Sequence, residues 1–183
     1  MELFEALRTR SSVREYRDEA IPEDKLERLK EAALLAPTSL NLQEEKFCFI
    51  TDKTVLDQIG KKMIEVSRQR EEWDYIERLS QRDWKVFFGA PLLIVIGVNP
   101  KNNYIDVDAG IAAQSICLAA KALGLESVIM AAPDRVFTGP MAEEFNALVK
   151  LPEGYRFAIA VAVGYGAHPF RPHELKPENI ITV

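Results

Sequence analysis

Two arginines and two serines lie close together near the start of the chain, in the run Arg10-Ser11-Ser12-Val13-Arg14. Guanidinium N–H groups and hydroxyl groups can each donate a hydrogen bond to an oxygen of a phosphate dianion. The run therefore predicts a phosphate-binding site. From the residues alone, a solvated basic turn that follows a helix is the alternative, and it stays open at this point.

A second polar run, Pro37-Thr38-Ser39-Leu40-Asn41-Leu42-Gln43, directly follows an amphipathic helical pattern. The side-chain amides of Asn41 and Gln43 can pair with the donor and acceptor edge of a flat heterocycle. The same residues could instead form a loop closed by Asx-type turn bonds. A phosphate-binding run and a ring-binding run in one chain of 183 residues indicate a nucleotide-like cofactor, held without a dinucleotide-binding glycine loop.

Hydrophobic patterning predicts a mixed order of helices and strands that would position these runs. The predicted helices cover residues 3–9, 22–36, 53–60, 106–123 and 140–149, and the predicted strands cover residues 47–51, 92–98, 127–131 and 155–163. Residues 61–90 are charged and aromatic, and they are predicted to form one or two exposed helices over the active site. The whole chain, residues 1–183, is predicted to be a single domain.

The predicted helix at 106–123 is apolar around most of its circumference. Such a helix must be covered on all sides, and in a chain this small a second copy is the simplest cover. The residues alone therefore predict a homodimer. The Pro-rich tail that starts at His168 is predicted to run extended across a surface or a partner.

Composition narrows the class of protein further. The net charge of −5 gives no reason to expect nucleic acid or an anionic membrane as a partner. No run approaches the ~20 apolar residues of a membrane helix. The two cysteines, Cys48 and Cys117, are expected to be buried free thiols. Together with a start that lacks a signal pattern, these features predict a cytoplasmic location.

Several motifs occur together in one order: the two polar runs, Asp108-x-Gly110, the helix that ends in Leu123-Gly124-Leu125, and the strand Val161–Tyr165. This ordered set resembles the nitroreductase family of FMN-dependent oxidoreductases. Ser11 stands where a second arginine is common, and Glu44-Glu45-Lys46 replaces the usual Pro-Trp. The resemblance implies an α+β fold, a three-layer sandwich with a mostly antiparallel central sheet flanked by helices. It also implies a homodimer with a domain-swapped C-terminal tail.

The resemblance further implies which residues contact FMN. It assigns the phosphate and ribityl oxygens to Arg10, Ser11, Ser12 and Arg14. It places the second run against the flavin from the second subunit, through Pro37, Thr38, Ser39, Asn41 and Gln43. Ala131 and Ala132 would approach flavin N5 through a backbone N–H, Gly164 would lie at the end of the last strand, and Arg171 would contact the phosphate. Lys176 is the alternative to Arg171. No side chain is assigned a catalytic role, because the flavin carries the chemistry, and no metal is expected.

The implied activity is the reduction of nitroaromatics, quinones or similar electron-poor rings with electrons from NADH or NADPH. The implied mechanism is ping-pong: the nicotinamide passes a hydride to flavin N5 and leaves, and the small-molecule substrate takes its place in one pocket. Two alternatives stay open. One is a flavin-binding carrier or sensor without nicotinamide turnover. The other is a related flavin chemistry such as reductive dehalogenation.

Overall fold

A computed structural model of the chain describes residues 1–101, 103–169 and 174–183. Within these ranges, four antiparallel strands form one sheet in the order β1-β2-β4-β3. The strands are β1 (Glu45–Ile50), β2 (Leu92–Val98), β3 (Glu126–Met130) and β4 (Arg156–Gly164). Every predicted strand is confirmed to within two residues at each end, and β2 has the predicted bounds.

Seven α-helices occur in the described part of the chain. They are α1 (Leu3–Thr9), α2 (Glu23–Leu34), α3 (Lys53–Gln69), α4 (Trp73–Ser80), α5 (Ile105–Ala122), α6 (Asp134–Phe137) and α7 (Ala142–Leu148). Local signals set their ends. The Asp52 carboxylate accepts a hydrogen bond from the Thr54 N–H at 2.8 Å and caps α3. Gly124, with φ of +74°, ends α5 in the left-handed conformation that glycine adopts most easily.

The sheet packs between two helical layers. Successive residues of β2 point to opposite faces, so Ile94 and Ile96 pack towards α2 and α5, whereas Leu93 and Val95 pack towards α3, α6 and α7. All seven residues of β2 are buried, as expected for a strand covered on both faces. The predicted α+β fold, with an antiparallel sheet flanked by helices, is therefore confirmed.

The segment 61–90 differs from its prediction. Helix α3 continues without a break through residue 61 to Gln69, because apolar residues recur at helical spacing in it. Leu79, Phe87 and Phe88, further along the segment, are buried in the core. The segment is therefore exposed at most of its charged positions and buried at many of its apolar positions, which pack into the core.

Helix α5 is covered on only part of its apolar surface by the rest of the protomer. Ala109, Ala113 and Ile116 are buried against the sheet and α2. In contrast, Val107 is 62% exposed and Ile111 is 37% exposed on the opposite side. The protomer thus leaves an apolar stripe of α5 in contact with solvent. Across the described ranges, the helices are too short or too polar to cross a membrane.

Candidate functional site

Two of the predicted groups of site residues, the first polar run and the Ala131–Ala132 segment, lie at the free edge of β3. β3 is the last strand of the sheet and pairs with β4 on one side only. On its other side, Ser12 bridges Ser127, and the Val13 N–H donates to the Ser127 carbonyl at 3.1 Å. Beyond this bridge none of the described residues pairs with the edge, and Ile129 is 39% exposed. The four residue steps from Ser127 to Ala131 span about 13 Å of extended strand.

The first polar run lies at the start of this edge. Helix α1 ends where the Arg10 N–H donates to the Ala6 carbonyl at 2.9 Å, and the chain then runs extended past Ser127. The Arg14 guanidinium donates to the Ser12 carbonyl at 3.3 Å. Within the described ranges, neither Arg10 nor Arg14 is paired with a carboxylate. The structure thus places two uncompensated positive charges and the hydroxyls of Ser11 and Ser12 at one end of the β3 edge.

Ala131 and Ala132 lie at the other end of the edge, directly after β3. They border a cavity of about 440 Å³ that is also lined by Tyr75, Arg135 and Phe157. Two small side chains here leave the backbone accessible to a planar ligand. The structure therefore brings the first run and the Ala131–Ala132 segment to the two ends of one edge.

Two further polar groups in this region were not singled out by the sequence. Arg82 lies over the ring of Phe88, 4.3 Å from its centroid, and its buried Nε has no hydrogen-bond partner among the described residues. Burial, and then the charges of Arg78 and Arg14, lower the pKa of Arg82. The Tyr75 hydroxyl is also buried without a partner, and burial raises its pKa. A buried polar group without a partner costs about 1–3 kcal/mol, so such groups often meet a ligand.

The second polar run lies at the opposite edge of the sheet, because it leads into β1. The three strand spacings between β1 and β3 amount to about 14 Å. Thr38 and Asn41 close the loop internally. The Gln43 N–H donates to Thr38 Oγ1 at 3.1 Å, and the Gln43 side-chain amide donates to Asn41 Oδ1 at 2.8 Å. One protomer therefore does not bring residues Pro37–Gln43 to the first run.

Asp108 anchors this loop to α5, a role that the sequence did not reveal. The Ser39 N–H donates to both carboxylate oxygens of Asp108 at 3.1 Å. Asp108 is only 3% exposed, although an acid in the first turn of a helix is usually solvated. The one available signal was its position beside Ala109 and one turn before Ala112, on the buried face of α5.

A second acid is buried beside Asp108. Glu45 is 7% exposed, and its Oε1 lacks a hydrogen-bond partner. Burial, and then the charges of Asp108 and Glu44, raise the pKa of Glu45. Across the described part of the chain, no group of three or more His, Cys, Asp or Glu side chains could hold a metal ion.

The structure gives less support to the predicted roles of Gly164, Arg171 and Lys176 than to those of the first run. Gly164 is buried at the end of β4, where an added Cβ would lie 2.6 Å from Pro91 Cδ, so close packing alone requires glycine there. Arg171 lies outside the described residues. Lys176 is exposed in the tail, at the start of a short 3₁₀ turn. The roles of these three residues stay predictions.

Comparison with known proteins agrees with this fold. The family model described as "Nitroreductase family" matches residues 7–165. The chain therefore belongs to the nitroreductase family.

Three relatives illustrate the similarity. A solved nitroreductase with bound FMN from Desulfitobacterium hafniense has a TM-score of 0.93 and 28% sequence identity, over 100% of this chain and 99% of that one. Protein DrgA from Synechocystis is 28% identical over 90% of this chain and 84% of its own length. A putative NADH dehydrogenase/NAD(P)H nitroreductase from Methanothermobacter thermautotrophicus is 26% identical over 91% of this chain and 78% of its own length.

Proposed function

We propose that this protein is an FMN-dependent oxidoreductase that takes electrons from NADH or NADPH and reduces electron-poor rings such as nitroaromatics or quinones. The observation that carries the proposal is the arrangement along β3. Arg10 and Arg14 lie without carboxylate partners, within the described ranges, at one end of the open edge. Ala131 and Ala132 lie at the other end, at a distance that suits the phosphate and the ring of one mononucleotide.

The residues present fit FMN. Arg82 Nε and the Tyr75 hydroxyl are buried without partners, and flavin carbonyl or ring nitrogen atoms could satisfy them. The two unpaired guanidiniums of the first run can neutralise a phosphate that would be costly to bury alone. The small side chains of Ala131 and Ala132 allow a flat ring to approach the backbone.

Each part of the chain has a distinct role in this proposal. Arg10, Ser11, Ser12 and Arg14 hold the phosphate and the ribityl oxygens, and Gly164 lies at the strand end nearby. Arg171 or Lys176 adds a further cation from the tail. The backbone N–H groups of Ala131 and Ala132 face flavin N5. When bound, FMN supplies the hydride transfer, and no side chain of the protein needs to act as a nucleophile.

The site is complete only in a homodimer. Residues Pro37–Gln43 lead into β1, which lies three strand spacings, or about 14 Å, from β3 in the same protomer, so in this proposal they reach a flavin from a second copy. The exposed apolar stripe of α5, which includes Val107 and Ile111, is the surface that the second copy covers. The exposed side chains of Leu175, Ile180 and Ile181 support a tail that is exchanged between protomers. Residues 1–183 then form one domain, with residues 61–90 over the site.

Donor and acceptor use the same cavity in turn, as a ping-pong mechanism requires. The cavity beside Ala131 and Ala132 has a mixed lining, in which Tyr75 and Phe157 are aromatic and Arg70, Glu72, Asp134 and Arg135 are charged. Because burial raises the pKa of Tyr75, its phenol stays neutral at neutral pH. It can therefore donate or accept a hydrogen bond but carries no negative charge.

An anaerobic titration tests the proposal. We expect protein saturated with FMN to be yellow, to bleach when NADH or NADPH is added without air, and to regain its colour with a nitroaromatic or a quinone. Yellow protein that neither nicotinamide bleaches would identify a carrier or sensor. Reoxidation by a haloaromatic alone would indicate reductive dehalogenation. Protein that takes up no FMN would contradict all three functions.

A further inference from the structure

Arg135, in α6, connects the α3–α4 segment with the backbone at the end of β3. Its Nη1 donates to the Ala132 carbonyl at 3.1 Å. Its Nε–H is shared between the carboxylate of Glu72, at 2.7 Å, and the hydroxyl of Ser67, at 3.0 Å. One guanidinium therefore contacts three groups, two of which are more than 60 residues away in the chain.

The partners of Arg135 fix its position. Ser67 is fully buried, and the Glu72 N–H donates to the Ser67 carbonyl at 2.9 Å. The guanidinium lies over the ring of Tyr75, 4.2 Å from its centroid. Hydrogen bonds between charged groups are stronger than those between neutral ones, and the planar guanidinium restricts their geometry. Arg135 therefore has little freedom to move relative to Ala132.

Glu72 is charged in this arrangement. Its partial burial alone would raise its pKa, but the hydrogen bonds from Arg135 and Ser67 and the charges of Arg135 and Arg70 lower the pKa of Glu72 below its ordinary value. The pair Glu72–Arg135 is therefore an ion pair at neutral pH. It partly neutralises Arg135, so that any effect of Arg135 on a nearby ligand is moderate.

The hydrogen bond from Arg135 to Ala132 is important because of where Ala132 lies. Ala131 and Ala132 border the cavity at the end of the β3 edge. The Asp134 N–H donates to the Ala131 carbonyl at 3.0 Å, and Arg135 donates to the next carbonyl along the chain. The bond from Asp134 fixes the peptide group between Ala131 and Ala132 and so pre-orients the Ala132 N–H. The bond from Arg135 fixes the next peptide group, which ends in Pro133 and has no N–H, so Arg135 restrains the Ala132 backbone from the other side of that N–H. Donors that are oriented before reaction stabilise developing negative charge without reorganisation.

We propose that Arg135 is a positioning residue that holds the Ala131–Ala132 backbone against the flavin and favours the binding of reduced over oxidised FMN. Glu72 and Ser67 hold Arg135, and through it the α3–α4 segment acts on the redox centre. The inference rests on the proposed function, because it requires FMN at the β3 edge. Reduced FMN carries more negative charge than oxidised FMN, and both the fixed Ala132 N–H and the guanidinium favour that charge.

The experiment compares FMN affinities in two oxidation states. For each protein, the affinity for oxidised FMN is measured by fluorescence titration, and the midpoint potential of the bound flavin gives the affinity for reduced FMN. We expect R135M to lower the ratio of reduced to oxidised affinity about tenfold, which is about 30 mV for a two-electron couple. R135K keeps the charge near Ala132 and is expected to stay within about threefold of wild type.

R68M is the matched control. Arg68 is also an arginine of the α3–α4 segment, but it lies over Trp84, 5.3 Å from the ring, and does not contact Ala132. We expect R68M to keep the wild-type ratio. Because R135M leaves Glu72 without its partner, R135Q/E72Q serves as a second variant that removes both charges. It is expected to fold, and to lower the ratio at least about threefold because Ala132 has lost its donor.

The outcomes separate this inference from the function on which it rests. Wild-type protein that binds no FMN would overturn the proposed function. Wild-type protein that binds FMN, with an unchanged ratio in R135M or R135Q/E72Q, would overturn the role of Arg135 alone. A purely structural role predicts that the variants weaken both oxidation states equally and leave the potential unchanged, and that result would also overturn the inference.

Discussion

The backbone N–H of Ser39 lies 3.1 Å from both carboxylate oxygens of Asp108, a residue 69 positions further along the chain. This contact ties the loop Pro37–Gln43 to α5, the helix whose exposed stripe is the proposed subunit interface. The position of the loop relative to a second copy therefore depends on Asp108.

Replacing Asp108 tests that dependence. We expect D108N to weaken FMN binding about tenfold, since the loss of a charged hydrogen bond to Ser39 frees the loop. Fluorescence titration with FMN measures the change. D106N is the control, because Asp106 lies on the same turn but is exposed and paired with Arg156. Equal affinities for D108N and wild type would show that the loop does not contribute to the flavin site.

Replacing Arg14 tests the phosphate site. We expect R14A to weaken FMN binding by about 2 kcal/mol, as for a lost hydrogen bond between charged groups. The same titration checks the result, with riboflavin as a second ligand that lacks the phosphate. R8A removes an exposed arginine from α1, before the first run, and is expected to bind FMN normally. Full retention of FMN by R14A would contradict the phosphate role.

The proposed interface can be tested with a charge on α5. Ile111 lies in the exposed apolar stripe of α5 and is 37% exposed in the protomer. We expect I111E to be monomeric in sedimentation velocity and to lose FMN, because a carboxylate cannot be buried between two apolar helices. A147E places the same charge on an exposed position of α7 and is expected to stay dimeric. A dimeric I111E protein would place the interface elsewhere.

Glu45 predicts a pH dependence of folding stability. Because burial, and then Asp108, raise the pKa of Glu45, the folded state binds its proton more tightly than the unfolded state does. Stability therefore falls as the pH rises from the ordinary glutamate range through the raised folded-state pKa.

We expect E45Q to remove this fall, and to be more stable than wild type at neutral pH by about 1 kcal/mol, because its amide can donate to Asp108. Urea unfolding at several pH values measures the difference. E44Q is the control, since Glu44 accepts a hydrogen bond from Asn99 and no comparable burial affects it. Parallel pH profiles for E45Q and wild type would contradict the expectation.

Sequence patterns predicted the elements well where a single period dominates. The apolar run of β2 and the long apolar pattern of α5 set their bounds to within one residue. The segment after α3 was harder, because its charges suggested exposure while the spacing of Leu79, Phe87 and Phe88 allowed burial. The charge content describes the segment as a whole, whereas burial depends on which individual positions are apolar and face the core.

The residues of the candidate site likewise divide into those that the sequence indicated and those that it did not. The first run was singled out by its residue types and by the resemblance, and the Ala131–Ala132 segment by the resemblance alone; their roles at a flavin stay predictions. The contacts of Asp108 and Arg135 were not predicted, because they join residues distant in the chain. Arg135 meets Glu72 only after α3, α4 and α6 have packed. No spacing in the sequence encodes such a contact.

The opposite placement of the two polar runs on the sheet makes each proposed centre a product of both chains. A mixed dimer with one R14A chain and one D108N chain would then carry both lesions in the same centre. The other centre would draw its arginine and its loop from unaltered parts of each chain. Two damaged proteins, refolded together, should therefore regain one intact centre in every mixed pair, which is intersubunit complementation.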